Sequence, residues 1–144
     1  MSVPDLSPSA LRAVAAYLPL MTAPGFRFTD GTPPFEQTSP GHFEMHGYTY
    51  DPQVGCLLDT LLTLNWVHSF DWPEWMQTPE AQSLKDDPQV LAQATPEQLA
   101  RLMTIFARQE RFSDGAMLGF WDSGLLLGIL RRASELAQEQ RKDF

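Results

Sequence analysis

Arg108 and Arg111 stand three residues apart at the end of a helical stretch, followed by Phe112 and Asp114. At that spacing the two arginines share one helix face. A guanidinium fork fits carboxylate or phosphate in bidentate geometry, so the pair could clamp an anion. The bland reading is that the arginines sit at the negative end of a helix and pair with Glu110, Asp114 or Asp71. Structural ion pairs are commoner than catalytic ones, which favours the bland reading. For Arg111 the expectation is partial burial, because Phe112 beside it should enter the core. A guanidinium drawn inward needs a carboxylate, with Asp71 the first choice and Asp114 the second.

The second group is Phe70-Asp71-Trp72-Pro73-Glu74-Trp75-Met76. Its rings are too large to leave wet, since each can bury ~150–250 Å². Trp72 and Trp75 are therefore candidate walls for an anion pocket floored by Arg108 and Arg111. Asp71 and Glu74 could act as paired carboxylates in acid–base chemistry. A capping Asp71 and a solvated Glu74 are the commoner arrangement.

His42, Glu44 and His46 would line one side of an extended strand and form the only plausible ligand set for a metal. Their Pro/Gly-rich context offers no fixed outer shell of hydrogen bonds, so the reading is of no metal and no cofactor. His68 stands alone at a helix end. Cys56, beside Leu57, reads as a small core residue. Gly115-x3-Gly119 and Gly124-x3-Gly128 lie on helices, where they permit close packing and do not form a phosphate loop.

The elements that must position these groups are read from caps and periodicity. Ser7-Pro8 opens a first helix carrying Leu11, Val14 and Leu18, which Pro19 and Pro24-Gly25 end. Residues 22–50 are rich in Pro, Gly, Thr and aromatics and read as an ordered loop wrapped on the helices, with a weak strand signal at Phe43 and Met45. Asp51-Pro52 starts a second helix with a wide apolar face including Leu57, Leu58, Leu61 and Leu62. That helix reads as central and ends near His68. Pro73 makes the aromatic corner a turn. Thr78-Pro79 and Asp87-Pro88 begin short helical turns, and Thr95 with Gln98 forms a capping box for the next helix. Ser113 or Asp114 caps a short helix, and Ser123-Gly124 restarts the chain into the most apolar run. There Leu126, Ile129 and Leu130 should bury against the second helix. Residues 137–144 read as a frayed tail.

The chain has 144 residues, 43% of them hydrophobic, which suits one domain spanning 1–144. A formal net charge of -8 argues against nucleic-acid backbone binding, which needs a basic face. One cysteine excludes an intrachain disulfide. No apolar stretch approaches the ~20 residues of a membrane span, and the first residues lack the pattern of a signal peptide. The reading is of a cytoplasmic protein.

Phe70-Asp71-Trp72 and Trp75, then Arg108-x-x-Arg111-Phe112-x-x-Gly115, then Ser123-Gly124-x-Leu126 with Ile129-Leu130-Arg131-Arg132, resemble a bacterial family known as domain of unknown function 6508. The resemblance covers roughly residues 50–136. Ser113-Asp114 stand where that family often carries Cys-Glu. The resemblance implies a small, mostly helical bacterial protein and no particular activity.

Together these readings give an all-α, single-domain bundle of about five helices, with the long loop wrapped on it. The leading functional expectation is a non-enzymatic interaction protein with a protein partner or a second copy. The alternative is a small-ligand or anion-binding domain, an enzyme included, that uses Arg108 and Arg111 near Trp72 and Trp75. A pocket at the arginines would favour the alternative, and a flat apolar patch the first.

Overall fold

A short polar residue followed directly by proline opens helix after helix. The computed structural model describes residues 3–31, 35–45 and 47–142. Within it, α1 (Pro8–Ala15), α3 (Pro52–Thr63), α5 (Pro79–Asp86), α6 (Pro88–Leu91) and α7 (Pro96–Gln109) all begin this way. In each, the Ser, Asp or Thr side chain accepts a hydrogen bond from a first-turn N–H, and the proline occupies a position whose N–H would go unused. Gln98 completes a capping box on α7 by accepting from the Thr95 N–H at 3.0 Å.

The remaining elements are α2 (Tyr17–Met21), β1 (Phe35–Ser39), β2 (His42–Met45), α4 (Trp72–Met76), α8 (Ala116–Asp122) and α9 (Leu125–Lys142). The protein is mostly helical, and no described helix is long and apolar enough to cross a membrane. Several boundaries differ from the sequence reading. Pro19 lies inside α2 and does not end the first helical region. The aromatic corner is the helical turn α4, with Pro73 in its first turn and Asp71 as its cap. β1 and β2 pair antiparallel with an irregularity between Gln37 and Ser39, so part of the long loop is a hairpin. The polar end read as a fraying tail stays helical as far as Lys142, and Ala137 is buried.

α9 is the central element. It packs most closely on α1, with α2, α6, α7 and α8 around it. Leu126, Ile129 and Leu130 are fully buried, as their spacing predicts, but the helix that carries them packs mainly on α1 and not on the second long helix, α3. α3 packs on α1 and α2 at the edge of the molecule. Only Val54, Leu57 and Leu61 of α3 are buried, while Leu62 and Cys56 are exposed. A helix touching neighbours along one narrow stripe buries one narrow stripe, which is why its apolar face is only half used.

α3 also stops earlier than His68. Asn65 adopts a left-handed φ of 58°. The Trp66 N–H reaches back to the Leu61 carbonyl at 2.9 Å and the Asn65 N–H to that of Leu62 at 3.1 Å. This is the paired 6→1 and 5→2 bonding that ends helices, here with Asn in the place usually taken by Gly. The turn drives Trp66 and Val67 into the core and brings His68 alongside α7.

Candidate functional site

Thr104 on α7 is the only fully buried residue of polar type in the described core. Its Oγ1 lies 2.7 Å from the Trp66 carbonyl and 3.0 Å from that of Ala100, and it accepts the His68 N–H at 3.2 Å. The hydroxyl ties the segment after α3 to α7, one turn before Arg108.

The same contacts set the histidine tautomer. His68 Nδ1 lies 3.1 Å from the Trp66 carbonyl, which can only accept. Nδ1 therefore carries the proton in the neutral ring, and Nε2 carries the lone pair. The ring stacks on Phe70 with centroids 4.8 Å apart. Phe70 lies under the Arg101 guanidinium at 5.2 Å and meets Trp75 edge-on at 6.1 Å. These contacts hold the His68–Phe70 segment in place.

A cleft of about 350 Å³ opens beside this segment. His68, Ser69 and Phe70 form one side, Trp72 another, and Arg108, Arg111 and Phe112 the third. Trp72 and Phe112 face each other with centroids 6.2 Å apart. Phe112 is 80% exposed, so it does not enter the core. Arg111 is exposed with it, and the expectation of a half-buried, carboxylate-held Arg111 does not hold. Neither Arg108 nor Arg111 forms an ion pair among the described residues.

The carboxylates expected to pair with them are engaged elsewhere or face solvent. Asp71 is exposed and accepts the Glu74 N–H at 3.1 Å as the cap of α4. Asp114 is exposed and lies outside the cleft lining, and Glu74 is also exposed. Glu110, between the two arginines in sequence, turns away from them. Its carboxylate accepts the Tyr50 hydroxyl at 2.5 and 3.0 Å, the Gly115 N–H at 2.9 and 3.0 Å, and the Met117 N–H at 3.3 Å. Gly115 takes a left-handed φ of 91°, and a Cβ there would lie 2.8 Å from the Tyr48 ring. Glu110 thus supplies the cap that sequence assigns to Ser113 or Asp114, neither of which caps α8 through its side chain. Burial first, and then the bond to Glu110, raise the Tyr50 hydroxyl pKa far above the ordinary tyrosine range.

Trp75 is buried in the core and does not line the cleft. Its Nε1–H finds no acceptor among the described residues. Of the metal candidates, His42 opens β2 and Glu44 follows it on the same strand, but His46 lies outside the described residues. Among the described residues no three His, Cys, Asp or Glu side chains gather as a metal site.

The cleft residues that sequence reasoning missed are His68, Ser69 and Phe70. The available signal was Asn65 inside an apolar helical run, since asparagine tolerates the left-handed conformation that ends helices. Chemically, the cleft offers two guanidinium forks, three aromatic surfaces and one imidazole. Among the described residues Ser69 makes no hydrogen bond to the His68 ring; the hydroxyl in contact with that ring is the buried Thr104 Oγ1, 3.2 Å from Nδ1.

The fold and cleft define a mostly helical protein with an outward-facing arginine–aromatic recess on an otherwise acidic chain. Residues 6–139 match the model of a family of unknown function, DUF6508, and the chain belongs to that family. The match takes in α1 and the long loop as well as the segment that carries the sequence resemblance. No curated protein and no solved structure matches the chain.

Proposed function

We propose that the protein is a non-enzymatic interaction protein that docks an acidic partner segment in the Arg108–Arg111 cleft. One observation carries the reading. Two arginines that have no carboxylate partner among the described residues stand beside a phenylalanine that is 80% exposed, in a chain of net charge -8. Acidic proteins have carboxylates to spare for structural pairing, yet Glu110 and Asp71 are turned to other uses. Phe112 and Trp72 offer apolar contact beside the charge, the combination of aromatic and arginine that dominates binding hot spots. The partner is expected to present one or two carboxylates next to an apolar side chain.

The second reading is a free small anion, supported by the concave shape of the cleft. Titration with sulfate, phosphate and a short Asp/Phe-containing peptide at constant ionic strength separates the two, with tryptophan fluorescence and melting temperature as readouts. Docking predicts a response to the peptide that Arg111→Met abolishes, with little response to the inorganic ions. A free-anion site predicts stabilisation by sulfate or phosphate alone, lost in the same variant. No response to any probe refutes both readings.

A further inference from the structure

A second cavity lies on another face, between α5, α6 and the start of α9. It has a volume of about 310 Å³. Its apolar floor is Leu84, Leu91 and Leu125, all nearly inaccessible to solvent. Gly128 lets α6 settle directly onto α9. A Cβ at that position would come within 2.5 Å of Leu91 Cδ2, so a larger residue there would force the Leu91 side chain to shift.

The rim carries three cations, Lys85, Arg131 and Arg132, and one carboxylate, Glu135. Lys85 and Arg131 are exposed and form no ion pair among the described residues. Arg132 is committed elsewhere. Its side chain is only 13% exposed, its Nε–H donates to the Ala94 carbonyl at 2.8 Å, and its Nη1 faces Glu135 at 3.4 Å and Glu139 at 3.7 Å. Glu135, the one acidic residue of the lining, is therefore already matched. That leaves two unmatched cations above a leucine floor, in a chain whose acidic residues outnumber its basic ones by 18 to 10.

We infer that this cavity binds a small amphiphilic carboxylate, its head held by Lys85 and Arg131 and its apolar body laid on Leu84, Leu91 and Leu125. Charge complementarity favours an anionic head, because Lys85 and Arg131 are the lining cations that no carboxylate among the described residues engages. The leucines set the body. The volume lies at the small end for ligand pockets, which suits a medium-chain or aryl acid and not a long lipid. Medium length alone does not suffice, because neither the head nor the floor is large enough to hold a ligand without the other. The site shares no residue with the Arg108–Arg111 cleft, so it stands whether or not that cleft binds a partner.

The test uses three matched probes on the full chain: octanoate, octanol, which lacks the charge, and acetate, which lacks the body. Amide NMR shifts and calorimetry report binding. Octanoate should bind at least about tenfold more tightly than either control, with shifts at Leu91, Ala92, Leu125 and Gly128. Lys85→Ala/Arg131→Ala should weaken octanoate at least about tenfold and leave octanol unchanged. Ala92 is exposed at the mouth, so Ala92→Trp should occlude the cavity and weaken both without disturbing the core. Arg111→Met should leave octanoate binding as it is. The inference is overturned if octanoate binds no better than octanol, if its shifts fall elsewhere, or if both the charge and the occlusion variants bind it like the wild type.

Discussion

Removing the Glu110 carboxylate should loosen three segments at once, because the loop before α3, the turn after α7 and the first residues of α8 all donate to it. Glu110→Ala leaves the Tyr50 hydroxyl and the Gly115 and Met117 N–H groups without their acceptor. A hydrogen bond to a charged group contributes roughly 1.5–3 kcal/mol, and unmet buried donors cost a comparable amount. The site is half-buried and the Met117 bond is long, so the lower end applies to the Tyr50 and Gly115 bonds and little to the third. The expected loss is about 3 kcal/mol. For a chain of this size, each kcal/mol lowers the melting temperature by roughly 2–4 °C, so the variant should melt about 6–12 °C lower.

The assay is urea and thermal melting of wild type, Glu110→Ala, Tyr50→Phe and the double variant. Tyr50→Phe breaks one bond and spares the start of α8, so it should cost about 1–2 kcal/mol. In the double variant the Tyr50 loss should largely vanish, since its partner is already gone, giving a coupling of about 1 kcal/mol. Hydrogen exchange at Gly115 should accelerate in both variants that lack the carboxylate. A Glu110→Ala loss below about 0.5 kcal/mol, or strict additivity with Tyr50→Phe, would refute the latch. If Glu110 instead paired with the arginines, its removal would change ligand binding in the Arg108–Arg111 cleft, and no such change is expected.

Leu130→Ala should cost about 2–5 kcal/mol in urea melts, because Leu130 is fully buried in the central helix; a loss within error would make α9 peripheral. Thr104→Val keeps the volume but strips the hydroxyl from the Trp66 and Ala100 carbonyls and the His68 N–H. It should cost about 1–3 kcal/mol and speed exchange of the His68 amide, and a neutral effect would remove Thr104 as the clamp. For Tyr50, the folded chain holds the phenolic proton above the ordinary pKa while the unfolded chain releases it near ~10. The resulting stability is complete below about pH 10 and falls as pH rises further. Alkaline melts of wild type against Tyr50→Phe should converge above that pH, and a constant difference would contradict the shift.

How much of this was legible depends on how local the cause is. The Ser-Pro, Asp-Pro and Thr-Pro helix starts were legible because a cap acts within three residues, and they recur in the structure at Ser7, Asp51, Thr78, Asp87 and Thr95. The burial of Leu126, Ile129 and Leu130 was legible from their period, but their partner was not, since periodicity names a face and not what covers it. Cys56 and Leu62 fail for the same reason: an apolar position becomes core only where another element covers it, and among the described residues both stay exposed.

The cleft shows the same limit in its sharpest form. Sequence places Arg108, Arg111, Trp72 and Asp71 in one neighbourhood, and the structure brings the first three to one cleft. It does not predict that they lack acidic partners, because that depends on Glu110. Glu110 has five residues to reach Gly115 and sixty to reach Tyr50. The short reach is a cap formed across a turn, and the long one depends on where the 22–50 segment crosses the helices, which no local pattern states. Phe28 fixes that crossing: it is buried, stacks on Trp121 of α8 at 5.1 Å and meets the Tyr50 ring at 5.5 Å. The aromatics of the loop therefore deliver Tyr50 to Glu110, and the carboxylate so engaged is not spent on the half-buried Arg108 or the exposed Arg111. The exposed charge of the cleft follows from packing on the other side of the α7–α8 turn.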